Sequence, residues 1–231
     1  GDMLRVPGSR HSLLDAKASG ADVRIVYSPL DALAIAEANP QREVVFFAIG
    51  FETTAPTCAM AARQAKGRGI NNFSLLVSLV RVPPAIEALL NAPDNTIDGF
   101  LAAGHVCAVM GVSEYEPITE HHHIPLVVAG FEPLDLMQAI LACVEQLESG
   151  RHQVENLYRR VVRDEGNPVA QAILREVFRV VAREWRGLGV IPASGLDLAP
   201  AYAKFDAEQR FPPPSFAPID EHRCISGEIL R

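Results

Sequence analysis

Continuous apolar runs, rich in β-branched residues, recur along the N-terminal half of the chain. They span residues 23–27, 44–49, 73–79, 97–102 and 125–129. Runs without polar alternation are typical of parallel strands that are covered on both faces. From residue 44 onward the runs begin roughly 25 to 30 residues apart, which is the spacing of successive βα units. The pattern therefore predicts an α/β protein built on a parallel β-sheet.

Segments of helical character separate these runs. Helices are expected at residues 30–38, 57–66, 85–91, 106–110 and 134–149. Several follow a helix-start signal such as Ser28-Pro29 or Glu132-Pro133, because proline is tolerated in the first helical turn. The alternation of strands and helices predicts a Rossmann-like lobe, in which helices flank the sheet.

The pattern changes after residue 150. The sequences HQVENLYRRVVRDEG and PVAQAILREVFRVVAREWRG predict two additional C-terminal helices with no strand between them, followed by a glycine-rich return segment. We divide the chain into four parts. These are a βα unit of a first, incomplete lobe (1–40), a four-stranded parallel α/β lobe (41–150), the helical extension with its return segment (151–208), and a proline-rich linker with a short tail (209–231).

Composition and charge narrow the range of functions. The 231 residues are 48% hydrophobic and 21% charged, as is ordinary for a globular protein. The formal net charge of −7 offers no basic surface for nucleic acid. No apolar run reaches the roughly 20 residues of a membrane helix. The four cysteines include no CxxC pair, which favours a reducing, cytoplasmic location.

Polar side chains follow three of the predicted strands. Glu52 follows the 44–49 run in the sequence GFETT, His105 follows the 97–102 run, and Glu132 follows the 125–129 run in a second GFE. Because parallel strands end at one edge of a sheet, where ligands normally bind, we expect these side chains to share one rim. An imidazole beside two carboxylates suits metal or proton chemistry.

A structural explanation of the same residues stays open. Glycine permits a tight turn, and the hydroxyls of Thr53 or Thr54 can cap the amides of the following helix. Capping does not explain two copies of Gly-Phe-Glu, since glutamate is not a preferred cap. Taken alone, His105 is more typical of a helix-start residue than of a ligand, and Cys107 is more typical of a small buried residue.

Several stretches together closely resemble the HypD family of hydrogenase-maturation factors. In chain order they are GDMLRVPG, GADVRIVYSPLDAL, VVFFAIGFETTAPT, GHV, PLVVAGFEPLDLMQAI, VENLYRRVV and EWRGLGVI. The resemblance implies a cytoplasmic scaffold with two parallel-sheet lobes and a [4Fe–4S] segment. It also implies that the Fe(CN)2CO group of [NiFe] hydrogenase is assembled there, with HypC-type and HypE-type partners, before it reaches the hydrogenase large subunit.

The resemblance also assigns roles to residues of the predicted rim. Its GFETT, GHV and second GFEP motifs imply catalytic roles for Glu52, His105 and Glu132, which would orient the iron-bound ligands. Whether such a scaffold takes part in the redox step that makes the CO ligand stays open. The neighbouring residues would line the same cleft, namely Gly50, Phe51, Thr53, Thr54, Gly104, Gly130 and Phe131.

The chain departs from the family pattern in its cysteines. The family's CGGH-type and GPGCPVC segments precede its GD…RVPG motif, and here the sequence begins at that motif. Cys224 alone represents the iron–sulfur segment, which needs four thiolates. We therefore expect an internal piece of a longer protein that by itself binds neither the iron group nor the cluster.

Two other hypotheses stay open. The chain could be a stand-alone small-molecule hydrolase or transferase that uses the carboxylate–histidine rim, which would require a complete active site within these residues. It could also be an interaction module whose rim residues only cap helices.

Overall fold

Seven strands and nine α-helices make up the part of the chain that the computed structural model describes, residues 2–6 and 11–212. The strands are β1 Val44–Gly50, β2 Phe73–Val80, β3 Phe100–Ala103, β4 Leu126–Ala129, β5 Val154–Asn156, β6 Phe178–Trp185 and β7 Gly189–Leu198. The α-helices are α1 Leu13–Ala18, α2 Pro29–Ala38, α3 Ala55–Arg68, α4 Val82–Leu90, α5 Gly104–Met110, α6 Glu116–His122, α7 Pro133–Glu148, α8 Pro168–Val177 and α9 Ala207–Arg210. Two 3-10 helices span Asp2–Arg5 and Pro200–Phe205. None of these helices combines the length and hydrophobicity needed to cross a membrane.

The α/β class is confirmed, but the strands form two sheets rather than one. β1 and β2 pair in parallel, β2 pairs antiparallel with β7, and β7 pairs antiparallel with β6. β3, β4 and β5 form a separate, wholly parallel sheet. The prediction of a single four-stranded parallel sheet within 41–150 is therefore wrong. After β2 the chain passes through α4 and begins the second sheet with β3, while the remaining edge of β2 pairs with β7.

The apolar run at 23–27 is not a strand. It has no ladder partner among the described residues, and its backbone is irregular. Ile25 is 51% exposed and Tyr27 is 99% exposed. Apolar character alone did not produce a strand here, because a strand also needs a neighbour for its backbone hydrogen bonds.

The prediction of a purely helical extension at 151–208 is also wrong. Residues 151–165 contain the short β5 and several turns. The second predicted helix begins as α8 after its Asn167 cap, but it ends at Val177 and the chain continues as β6. Gly187 and Gly189, with φ of 84° and 75°, permit the tight hairpin that returns the chain as β7. The division of the chain into four parts stays a prediction.

Each sheet has its own hydrophobic cluster, and helices connect the two. The cluster of the first sheet includes Phe73 and Leu75 of β2 together with buried residues of α2, α3 and α8. Burying each such side chain contributes about 1.5–3 kcal/mol. The cluster of the second sheet includes Leu126 and Val128 of β4. α4 packs on β7 of the first sheet, yet its Ile86 belongs to the second cluster, so this helix joins the two halves.

Candidate functional site

The turn after β1 is built around Gly50. Its φ is 140°, and a Cβ at this position would lie 2.2 Å from Thr54 Oγ1. The Thr54 hydroxyl donates a hydrogen bond to the carbonyl oxygen of Phe51 (3.0 Å) and caps no amide of α3. Phe51 and Thr53 are exposed. The turn is therefore closed by its own glycine and threonine, and Thr54 is not a side-chain cap of the helix that follows.

Glu52 is buried within this exposed turn, with only 2% of its surface accessible. Its Oε1 accepts a hydrogen bond from the backbone N–H of Val82 (2.9 Å), the first residue of α4. A side chain that follows β1 thus caps the helix that follows β2, and it satisfies one of the free amides at the start of that helix. Its other oxygen, Oε2, is buried without a hydrogen-bond partner among the described residues.

The surroundings of Glu52 favour its protonated form. Burial raises the pKa of this carboxyl, because the loss of water disfavours the charge more than backbone hydrogen bonds from Glu52 and Val82 favour it. The Arg81 guanidinium lowers the pKa to a smaller extent. That guanidinium is bound to the Glu114 carboxylate and donates to the carbonyl oxygen of Ala193 (2.9 Å), so it is not a dedicated partner of Glu52.

The charge of Glu52 contributes to raising the pKa values of a buried thiol, Cys107, and a buried phenol, Tyr115. Cys107 of α5 is completely inaccessible and Tyr115 is 1% exposed. Burial raises the pKa of Cys107 to about 11 and raises the pKa of Tyr115 well above its ordinary value. Both groups are therefore protonated at neutral pH. The interpretation of Cys107 as a small buried residue is confirmed, and as a buried thiol it is not a ready metal ligand.

The two other predicted turns lie side by side in the second sheet. β3 and β4 are parallel neighbours that end at the same level, with Ala103 paired to Ala129. The rings of His105 and Phe131 are therefore close, with centroids 4.6 Å apart and planes inclined by 43°. His105, Phe131 and Glu132 are all exposed, and the Glu132 side chain caps no amide of α7.

Tyr158 packs closely against both glycines of these turns. A Cβ on Gly104 would lie 2.4 Å from Tyr158 Cδ1, and a Cβ on Gly130 would lie 2.7 Å from Tyr158 Cε2. Only glycine allows the aromatic ring to approach both turns so closely. The sequence pattern placed Tyr158 on a helix and missed this contact. The signal that could have found it is the pair of glycines after two adjacent strands.

An ion pair supports the same region. Arg160 Nη1 donates to Asp135 Oδ1 at 2.7 Å, and Arg160 Nη2 donates to Asp135 Oδ2. The hydrogen bonds from Arg160 lower the pKa of Asp135, which keeps this carboxylate charged. The guanidinium carbon of Arg160 also lies 4.6 Å from the centroid of the Tyr158 ring, a cation–π distance. Neither Asp135 nor Arg160 was selected as a site residue from the sequence.

The structure brings His105, Phe131 and Glu132 together, whereas Glu52 follows a strand of the other sheet. His105 and Cys107 are two positions apart on α5 and so point to opposite sides of the helix. Glu52 is buried and its charge contributes to raising the pKa of Cys107, whereas His105 is exposed. The prediction that one sheet carries all three side chains at its edge is wrong, because β1 belongs to the other sheet. A rim shared by Glu52 with the other two stays a prediction.

The described cysteines do not form a cluster site. Cys58, Cys107 and Cys143 lie on three different helices, and burial raises the pKa of Cys58 to about 12. Within residues 2–6 and 11–212, no three His, Cys, Asp or Glu side chains are grouped so that they could hold a metal ion. The described part thus does not fit a [4Fe–4S] cluster, which needs four thiolates. Cys224 lies outside the described residues.

Comparison with known proteins gives one consistent family. Residues 1–231 match the family model HypD, described as the hydrogenase formation hypA family. The chain is 52% identical over 231 residues to the hydrogenase maturation factor HypD of Escherichia coli (strain K12), covering 100% of this chain and 62% of that protein. It is 52% identical over 239 residues to HypD of Rhizobium leguminosarum bv. viciae, again covering 100% and 62%. For HypD of Rhodobacter capsulatus the identity is 52% over 212 residues, covering 91% and 56%. The chain thus spans about three fifths of the length of these relatives.

Proposed function

Because the chain belongs to the HypD family of hydrogenase-formation proteins, we propose that it forms part of the scaffold on which the Fe(CN)2CO group of a [NiFe] hydrogenase is assembled. The iron group is the cargo of this scaffold and passes on to the hydrogenase large subunit. The observation that carries the proposal is the exposed pair of turns after β3 and β4, with His105 against Phe131 and Glu132 beside them.

In this proposal, His105 and Glu132 contact the iron-bound diatomic ligands. Cyanide bound to iron accepts hydrogen bonds at nitrogen, and an imidazole N–H is a suitable donor. Glu132 is exposed and its side chain caps no helix amide, so its carboxylate is free to contact a ligand or to exchange a proton. Phe131 packs against the imidazole, with the two rings inclined, and so limits the directions in which His105 can donate.

Glu52 supports the scaffold from within. Its burial and its hydrogen bond to the first amide of α4 favour a role in holding the junction between the two sheets. The direct catalytic role predicted for it stays a prediction, since a group with 2% exposure reaches a ligand only if the protein opens. Phe51, Thr53 and Thr54 of the same turn are exposed and remain candidates for lining the cleft of the full protein.

An exposed apolar strip on α7, from Leu134 to Val144, supports the proposal that the protein binds partner proteins. Large exposed apolar surfaces mark protein interaction sites. The strip begins two residues after Glu132, next to the proposed reaction surface. The family resemblance implies two partners, a HypC-type chaperone and a HypE-type cyanide donor. We propose that the strip binds the HypC-type chaperone. Its members are 47–67% exposed: Leu134, Met137, Ile140, Leu141 and Val144. We also propose a cytoplasmic location and a [4Fe–4S] segment in the full protein, as the family resemblance implies.

The two alternatives have less support. A stand-alone hydrolase using the predicted rim would need Glu52 to face His105, whereas Glu52 is buried after a strand of the first sheet and His105 is exposed after a strand of the second. For the interaction module whose rim residues only cap helices, Glu52 fits because it caps α4, but Glu132 does not because it caps no amide of α7.

The test uses the full-length protein in a cell that lacks its own factor of this kind. His105→Ala removes the proposed donor, and loss of one such preorganised donor costs about 10²–10³-fold in other sites. We therefore expect the yield of active hydrogenase to fall at least tenfold in His105→Ala and in Glu132→Gln. Glu145→Gln, an exposed position further along α7, is the matched control and should leave the yield unchanged. Full activity of His105→Ala would contradict the proposal.

A further inference from the structure

Tyr158 is held rigidly although it lies outside the regular elements. It follows β5 and is 9% exposed. Its backbone N–H donates to Asn156 Oδ1 at 3.0 Å, and its carbonyl oxygen accepts from the N–H groups of Val161 and Val162, each at 2.9 Å. The Asn156 side chain is fixed in turn by donating to the carbonyl oxygen of Val162 (3.1 Å) and to Asp164 Oδ1 (3.0 Å). The ring therefore has a defined position.

The Tyr158 ring packs against both turns of the proposed site, in the space that a Cβ on Gly104 or Gly130 would take. It lies so close to Gly104 and Gly130 that neither could carry a Cβ, and its centroid is 6.4 Å from that of the His105 ring. Glycines have the largest backbone freedom of any residue, so turns built on them need external support to hold one conformation. Tyr158 is the side chain that contacts both glycines.

Arg160 and Asp135 brace the ring from the other side. The Arg160 guanidinium lies over the ring and binds the Asp135 carboxylate with two nitrogen atoms. Asp135 is in the first turn of α7, and its Oδ2 would lie 2.1 Å from a Cβ on Gly130. The ion pair thus links the Tyr158 loop to the same turn that carries Phe131 and Glu132.

We propose that Tyr158 is a positioning residue, which fixes the His105 and Phe131 turns in the orientation that the iron-bound ligands require. The inference rests on the proposed function of His105. Without the ring, a cavity opens beneath two glycine turns and the imidazole loses its orientation. A displacement of about 1 Å at a reacting group costs about 10²-fold in rate. The hydroxyl of Tyr158 donates no hydrogen bond to the described residues, so the ring carries the effect.

The experiment compares Tyr158→Phe, which keeps the ring, with Tyr158→Leu, which keeps apolar volume but loses the ring. Both are made in the full-length protein with ¹³C-labelled histidine. Tyr202→Leu is the matched control, because Tyr202 is also buried (2% exposed) but belongs to the cluster of the first sheet. The first readout is the His105 imidazole resonance and its pH titration. The second is the yield of active hydrogenase in the complemented strain.

We expect Tyr158→Phe to match the parent protein in both readouts. Tyr158→Leu should move the His105 resonance and lower the yield by about 10–100-fold, whereas Tyr202→Leu should leave the resonance in place. An unmoved His105 resonance in Tyr158→Leu would overturn the inference. If Tyr158→Leu does not fold, Arg160→Ala applies the test instead, because it removes the guanidinium that lies over the ring. An unmoved His105 resonance in that variant would then overturn the inference. A moved resonance with an unchanged yield would preserve the positioning effect and would count against the proposed role of His105 instead.

Discussion

Two substitutions of Glu52 distinguish the effect of its hydrogen bond to α4 from the effect of its raised pKa. Glu52→Ala removes the acceptor for the Val82 N–H at 2.9 Å. Loss of a helix cap costs about 0.5–2 kcal/mol, and the space left in a site with 2% exposure adds to this. We expect the free energy of unfolding to fall by about 2–3 kcal/mol. Glu52→Gln keeps an acceptor oxygen, so its loss should stay below about 1 kcal/mol at neutral pH.

The same pair of variants tests the raised pKa of Glu52. Because this pKa lies above its ordinary value of 4.5, the folded protein binds the proton more tightly than the unfolded chain does. The stabilisation from Glu52 is fully present below the unfolded pKa and is lost as the pH rises through the folded pKa. Glutamine does not titrate. The stability of Glu52→Gln relative to the parent should therefore increase over that pH interval.

Urea denaturation of the full-length protein at a series of pH values measures both effects. With a urea m value of about 2–3 kcal/mol/M, the midpoint of Glu52→Ala should fall by about 1 M and that of Glu52→Gln by less than about 0.5 M. Equal losses in the two variants at neutral pH would refute the cap as the main contribution. If the free energies of unfolding of the parent and of Glu52→Gln change in parallel with pH, the raised pKa of Glu52 is refuted.

Three further predictions concern the second sheet. Gly130→Ala should lower the free energy of unfolding by about 1–3 kcal/mol, because its Cβ would meet the Asp135 carboxylate at 2.1 Å; an unchanged thermal midpoint would contradict this. In native protein a thiol reagent should modify Cys143 before the two fully buried cysteines of the described residues, as read by peptide mass spectrometry; equal rates would contradict the burial. Met137→Glu, at a position 65% exposed, should reduce co-purification of the HypC-type chaperone at least tenfold without changing the thermal midpoint; undiminished co-purification would remove the α7 strip from that interface.

Local pattern predicted most of the individual elements. The runs at 44–49, 73–79 and 125–129 are strands, and five of the predicted helices are present, because continuous apolar strands and proline-started helices are specified by neighbouring residues. The turns after β1, β3 and β4 also fall where the strand ends predicted them. The local pattern did not predict which strands pair with each other. β2 pairs with β7, whose residues come more than a hundred positions later, and that contact divides the predicted sheet into two.

The segment after Val177 shows how tertiary contacts override local preference. FRVVAREW was assigned to a helix, yet it forms β6 because β7 provides a ladder for it through the hairpin at Gly187 and Gly189. The candidate site was affected in the same way. His105 and Glu132 follow neighbouring strands, as predicted from the strand ends, whereas Glu52 follows β1, which is in the other sheet. Tyr158 was missed because the two glycines indicate that a group packs closely on both turns but do not indicate which side chain it is.

The central claim is that His105 and Glu132, at the ends of two neighbouring strands, contact the iron-bound ligands. Infrared spectroscopy of the full-length protein, isolated with its HypC-type partner and the iron group, tests it most directly, because the stretching bands of bound cyanide respond to hydrogen bonds. We predict that His105→Ala shifts these bands and that Glu145→Gln leaves them unchanged. Identical bands in the parent protein, His105→Ala and Glu132→Gln would contradict the claim.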